Sequence, residues 1–469
     1  MMLARALGGR RLALAAAGAA CGAACAAGGA VWGERAHAAA APPPPPQRLF
    51  VWGQAAVPRA GLPQRPLDVR TLRDAGAAEV RAVAFGGSFV AASDANGELW
   101  LWPGAEGSVR DGAPGPWRVR LGERVASLAA TDDAIVAVTA RGRALLLERV
   151  GEWCEAIDAP TGARIAPAAP PRALAGDASR RRVASAAAGA AHILLVCEDG
   201  SLLALGANER GQLGLGDAPA GVAIAAAAAA APPPLVEHPR LVGGALAGAT
   251  VVSAACGASH SLAVTADGRL FAFGDDRWLQ LGLRDGGVPS IRRGPEMRAE
   301  PVEVSALGAL RAAGHVSDAA REPERWRVAC AAAGGAHSLI ALRDARSGAT
   351  RLLACGNGRW GQLGDGQFRH ISAPREVKGV RGLEEWDEAA RARVPITVRA
   401  LAAGAEHSAA LLSSGDVLVW GANALSQQGT GGRVGNAAPS RLCMLTGVPM
   451  GGLTCARNSC AAWTACAPR

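Results

Sequence analysis

Four histidines, His192, His260, His337 and His407, recur at intervals of 68, 77 and 70 residues, each immediately before an apolar run. An imidazole can act as a general base, ligate a metal or hydrogen-bond inside a core. A base is needed once per active site, not four times along a chain. A metal ion needs its ligand atoms within about 2 Å, which copies on separate units do not easily arrange. Each histidine is therefore read as structural, its ring satisfying buried backbone groups near its own repeating unit. The eleven cysteines include no C-x-x-C. Cys455, Cys460 and Cys466 cluster near the C-terminus without a partnering histidine motif, and Cys197, Cys256, Cys330 and Cys355 read as small core residues. The G-Q-L-G stretches lack the Gly-Lys-Ser/Thr end of a phosphate loop, so they read as turns packed between units. No G-x-S-x-G with a plausible triad and no recurring carboxylate pair is found. The sequence therefore assigns no catalytic residue, no cofactor and no metal, and the chain is expected not to be an enzyme.

The elements that carry these histidines are short strands. In residues 183–217 a small-and-apolar run, AHILLV, precedes Asp199-Gly200, and SLLALG returns after it. A two-residue loop between twisted antiparallel strands needs φ > 0, which glycine supplies. Residues 251–283, 328–366 and 399–430 repeat the frame A-x-G-x-x-H-S-L, turn, x-L-x-x-x-G-x-N-x-x-x-Q-L-G. Weaker copies, without the histidine, lie at 84–104 and 128–148. Self-similarity at a long period marks a repeat architecture, and units of this size suit propeller blades. RLFVWG (48–53) is a strand with no partners before it, while ARNSCAAWTA (456–465) aligns without gaps on GASHSLAVTA (257–266). One blade built from both termini accounts for both and removes the open sheet edges.

The stretches G-A-A-H-I-L-L-V, D-G-S-L-L-A-L-G-A-N and G-Q-L-G-L-G-D resemble the repeat of the regulator of chromosome condensation family. The resemblance implies an all-β, seven-bladed propeller of four-stranded antiparallel blades. The family's plant ultraviolet receptors carry G-W-R-H-T motifs, but the sites here read GAAH, GASH, GGAH and GAEH, which argues against that role. The basic import tail usual in the nuclear exchange factor acting on Ran is replaced by an acid-free, alanine-rich leader. Residues 356–411 look most similar to mitochondrial members, among them a fungal inner-membrane protein linked to cytochrome bc1 assembly. An animal member is linked to the mitochondrial ribosome and to nucleotide exchange on a fusion GTPase. The implied function is a non-catalytic mitochondrial scaffold for complex III assembly or mitoribosome biogenesis. The alternative is a guanine-nucleotide exchange factor for an organellar GTPase, and RNA binding in ribosome biogenesis is a third reading.

Charge does not force a choice. The formal net charge is +9, and Lys378 is the only lysine. Such a balance permits RNA or an anionic membrane without requiring either. Residues 1–41 read as a transit peptide, since Arg5, Arg10 and Arg11 precede the first acid, Glu34. Residues 12–32 are uncharged and long enough to form a weak membrane anchor, and the twin-arginine pair leaves an export signal as a further option. Residues 42–47 form a proline spacer, and 48–469 the propeller, expected to be a monomeric ring. The expected location is the matrix or inner membrane. Residues 284–327 read as one long insert on which partner binding is expected, with Arg292, Arg293 and Arg298 as candidate contacts, and LEEWDEAARAR (383–393) reads as one short helix. Trp278 and Trp360 stand in the glycine-rich loops, either packed between blades or exposed as partner anchors.

Overall fold

In the computed structural model, which describes residues 47–54, 67–69, 71–103, 116–157, 159–167, 169–217, 235–283, 297–305, 325–387 and 391–465, each repeat becomes four strands. The unit at Val183 shows how. Val183–Ala188, His192–Cys197, Leu202–Ala207 and Leu235–Leu241 pair antiparallel in sequence order. His192–Cys197 is buried along its whole length. Alternate side chains of a strand point to opposite faces, and here each face meets a neighbouring blade. Small apolar residues therefore run continuously instead of alternating with polar ones.

Seven such sheets form the ring. Blade 1 is built on Val80–Phe85, Phe89–Asp94, Leu99–Pro103 and Trp117–Val119, and blade 2 on Val125–Ala130, Ile135–Thr139, Ala144–Leu147 and Arg172–Ala173. The unit just described is blade 3. Blades 4, 5 and 6 begin at Val251–Cys256, Trp326–Ala333 and Val398–Ala403. Blade 1 gains a short fifth strand, Arg164–Ile165, paired parallel to Trp117–Val119. Blade 7 has the split construction expected from the two tails. Met450–Ala456 and Ser459–Thr464 come from the C-terminus, and Leu49–Gly53 pairs antiparallel with the second of them, Leu49 opposite Trp463.

The core is divided among the seams. Seven buried clusters each join the facing surfaces of two adjacent blades, as where Leu262 of blade 4 meets Trp326 of blade 5. Packing is therefore mostly between blades, and a lone blade would leave both faces in water.

Three expectations change. Residues 383–393 are not a helix: Glu384–Asp387 pairs antiparallel with Ala392–Pro395, so helix-forming Ala, Glu and Arg yield to tertiary context. Residues 284–327 are not one insert. Met297–Val304 lies inside them as the outer strand of blade 4, paired with Leu270–Asp275. The third concerns the histidines and is given below. The leader, the spacer prolines Pro42 to Pro46 and residues 221–234 lie outside the described residues, as do Arg292, Arg293 and Cys466. Among the described residues, no helix is long and apolar enough to cross a membrane.

Candidate partner-binding face

Antiparallel order sorts the connections onto two faces of the ring. Turns from the first to the second strand, and loops from the third to the fourth, emerge together on one face. The Asp-Gly-type hairpins and the blade-to-blade connections occupy the other. The histidines and the G-Q-L-G loops thus share a face, called here the loop face.

Each histidine reaches across a seam. His192 Nε2 is 3.0 Å from Ser261 Oγ, His260 Nε2 3.0 Å from Ser338 Oγ, and His337 Nε2 2.9 Å from Ser408 Oγ. Each serine hydroxyl in turn donates to the carbonyl of Gln212, Gln280 or Gln362, back on the histidine's own blade. The serine proton is thereby used, which assigns Nε2–H as the histidine donor. The imidazole therefore holds two blades together through a side chain of the next one, where the sequence had placed its partner in its own blade. Burial lowers the histidine pKa from 6.5 to about 3 for His192, His337 and His407 and about 4 for His260. The glycine three residues before each histidine is required by space. A Cβ at Gly189, Gly257, Gly334 or Gly404 would lie 2.1–2.5 Å from its own imidazole and 2.2–2.6 Å from the next blade's carbonyl.

The fourth seam differs. Cys460 stands where the others have serine, with its Sγ 2.9 Å from His407 Nε2. Cys460 is disulfide-bonded to Cys455 across a hairpin, so a histidine does lie beside this cysteine pair, contributed by the neighbouring blade. Sulfurs bonded to each other are not thiolate ligands. The Gln427 carbonyl receives the Trp52 indole N–H instead, at 2.9 Å. Burial pushes the Cys197 thiol up to about 11 and raises those of Cys256 and Cys355 as well, which keeps them protonated and unreactive.

The glycine-rich loops hold themselves rigid and present one side chain each. The Gln280, Gln362 and Gln427 amide oxygens accept from the backbone N–H of Trp278, Trp360 and Leu425, at 2.9, 2.9 and 2.7 Å. These three side chains occupy the same motif position on consecutive blades and are 43, 45 and 37% exposed. Trp278 and Trp360 thus stand out from the seams. Phe368 and Val434 extend the apolar rim along the same loops. The sequence reading missed Leu425, Phe368 and Val434; the fixed offset from glutamine could have found Leu425. Arg298 is half-buried in the outer strand of blade 4, opposite Gly274, and does not join the rim.

Along the axis runs a channel of about 330 Å³, lined by the inner strands of all seven blades and mostly by Ala and Gly. Its charged lining residues, Asp132 and Arg457, pair with each other, the arginine Nε donating at 2.7 Å. No nucleophile and base meet there.

Comparison with known proteins bears on this architecture. The model described as the regulator of chromosome condensation (RCC1) repeat matches residues 199–264 and 351–411, and a second model of that description matches 398–427. These stretches of the chain are similar to the RCC1 repeat. Protein RCC2 of Mus musculus is 32% identical over 247 residues, 50% of this chain and 38% of that protein. The chain thus spans well under two thirds of this curated relative. Human WBSCR16, known from a crystal structure, superposes with a TM-score of 0.61 at 21% identity, covering 89% of this chain and 98% of that one. Prp20p of Saccharomyces cerevisiae, whose binding to Gsp1p and histones has been studied, gives a TM-score of 0.62 at 19% identity over 90% of this chain and 92% of that one. At these identities the structural likeness speaks for the fold. The seven-bladed propeller expected from the sequence is the fold observed, and part of the chain matches the RCC1 repeat; nothing in these likenesses bears on mitochondria or complex III.

Proposed function

We propose that this chain is a non-catalytic mitochondrial scaffold that binds a protein partner on its loop face during assembly of respiratory complex III or of the mitoribosome. The observation that carries the binding role is the arc of Trp278, Trp360 and Leu425 on three consecutive blades. Exposed aromatic anchors on a rigid scaffold are the usual source of interface energy. Organelle and process rest on the leader, with no acid before Glu34, and on the likeness of residues 356–411 to mitochondrial family members.

Proximity labelling from the full-length protein in cells, with fractionation, tests this. Labelling of inner-membrane assembly factors or mitoribosomal proteins is expected, and it should fall at least several-fold in the double variant Trp278→Ala, Trp360→Ala. Labelling of nuclear chromatin would overturn the organelle. A single dominant GTPase whose nucleotide release the protein accelerates would replace the scaffold with the exchange factor. The split of residues 284–327 bears on that rival. Met297–Val304 within that stretch is the outer strand of blade 4, already paired with Leu270–Asp275.

A further inference from the structure

We infer that the rim of blades 4 to 6 docks an acidic segment of its partner protein, one that also carries aliphatic or aromatic side chains; this rests on the protein-binding reading above. Beside the apolar anchors stand Arg359, Arg369 and Arg433, all exposed, and none has a carboxylate at ion-pair distance among the described residues. On the opposite face Arg143, Arg182, Arg269, Arg325 and Arg441 pair with acids, while Arg124, Arg141 and Arg327 are exposed without one among the described residues. Of the carboxylates near the rim, Glu300 and Glu406 have no ion pair among the described residues, and the others are engaged. Asp275 holds Arg277, and buried Asp276 and Asp365 accept backbone N–H groups of their own loops. The rim is therefore apolar and on balance positive, and only a negative partner neutralises it without burying unpaired charge.

Two other occupants fit less well. A second copy joined face to face would bring the same arginines together across a twofold axis. Single-stranded nucleic acid would need open ring faces for stacking. His370 lies beside Trp278, with ring centroids 5.0 Å apart and planes tilted by 46°, and the Arg359 guanidinium sits 5.6 Å from the Trp360 centroid. Leu425 and Val434 offer a base nothing, whereas a protein side chain can pack on them. Because the loop glutamines fix the anchor backbones, little ordering opposes docking.

Selection of a displayed library of random dodecapeptides on the full-length chain tests the proposal. Enriched peptides should combine net negative charge with Leu, Ile or Phe, and their affinity should fall about tenfold or more in the triple variant R359E/R369E/R433E. It should also fall in W278A/W360A, and both variants should keep the parental thermal unfolding because all five side chains are exposed. Enrichment of neutral or basic peptides, or indifference to the triple charge reversal, overturns the acidic partner. If those peptides still respond to W278A/W360A, protein docking on the rim survives. Enrichment indifferent to both variants, no enrichment, or tighter binding of a uridine oligonucleotide than of any peptide overturns the rim as a protein-docking site.

Discussion

At the scale of residues, the seams are held by small polar relays whose loss has a defined cost. Ser338→Ala would leave the His260 Nε2–H and the Gln280 carbonyl short of their buried partner. Stripping one partner from a buried hydrogen bond costs about 1–3 kcal/mol, so denaturant unfolding should lose that much stability with an unchanged slope. The same four imidazoles make stability depend on acidity. Their folded pKa values lie at about 3 to 4, below the ordinary 6.5. Their contribution is complete above pH 6.5. As pH falls below that value the unfolded chain takes up protons that the folded chain refuses, and stability declines until about pH 3. Melting temperature should therefore drop between pH 7 and pH 4, and replacing His192, His260 and His337 together by Phe, the residue that blade 1 uses at Phe89, should flatten that profile. Cys460→Ser would restore the serine of the other seams. With the disulfide lost in both, Cys460→Ser should be more stable than Cys460→Ala by about 0.5–1.5 kcal/mol, because its hydroxyl can accept from His407.

At the scale of elements, the outer strands explain what could and could not be read from the sequence. Leu235–Leu241, Met297–Val304, Ile371–Glu376 and Asn436–Arg441 each contain a proline, at Pro239, Pro301, Pro374 and Pro439. In all four the pairing slips beside that proline. A residue without an N–H is tolerated only at a sheet edge, where it also discourages pairing with another chain. In the sequence the same prolines argue against a strand, so Met297–Val304 was hidden within a supposed insert. The inner strands were legible because glycine, histidine and Asp-Gly turns sit at fixed offsets. The rim was legible only in part, since Trp278 and Trp360 catch the eye while Leu425 has meaning only once its loop is superposed on theirs. Residues 383–393 were misread because composition favours a helix where the fold pairs two strands. Trp52 gives this scale its test. Its indole is fully buried and bonded to the Gln427 carbonyl. Trp52→Ala should cost about 3–5 kcal/mol. Trp52→Phe should cost less, about 1–3 kcal/mol, because it keeps most of the packing and leaves the carbonyl unpaired.

At the scale of the whole molecule, blade 7 closes the ring without a covalent link between its halves. Leu49 and Val51 pack in the seam with blade 1, while Phe50 and Trp52 pack in the seam with blade 6. Deleting residues 48–53 therefore strips apolar surface from two seams at once. Hydrogen exchange should show protection falling in blades 1, 6 and 7 together, and loss confined to blade 7 would mean that the ring does not act as one unit. The same closure has a consequence in time. Synthesis runs from the N-terminus, so Leu49–Gly53 emerges long before the strand it pairs with, Ser459–Thr464. Throughout elongation a hydrophobic strand waits beside an incomplete ring, and a prematurely terminated product can never cover it. A chain cut short before Ser459 thus carries its own mark of incompleteness, an apolar strand with one edge uncovered that chaperones and proteases can read.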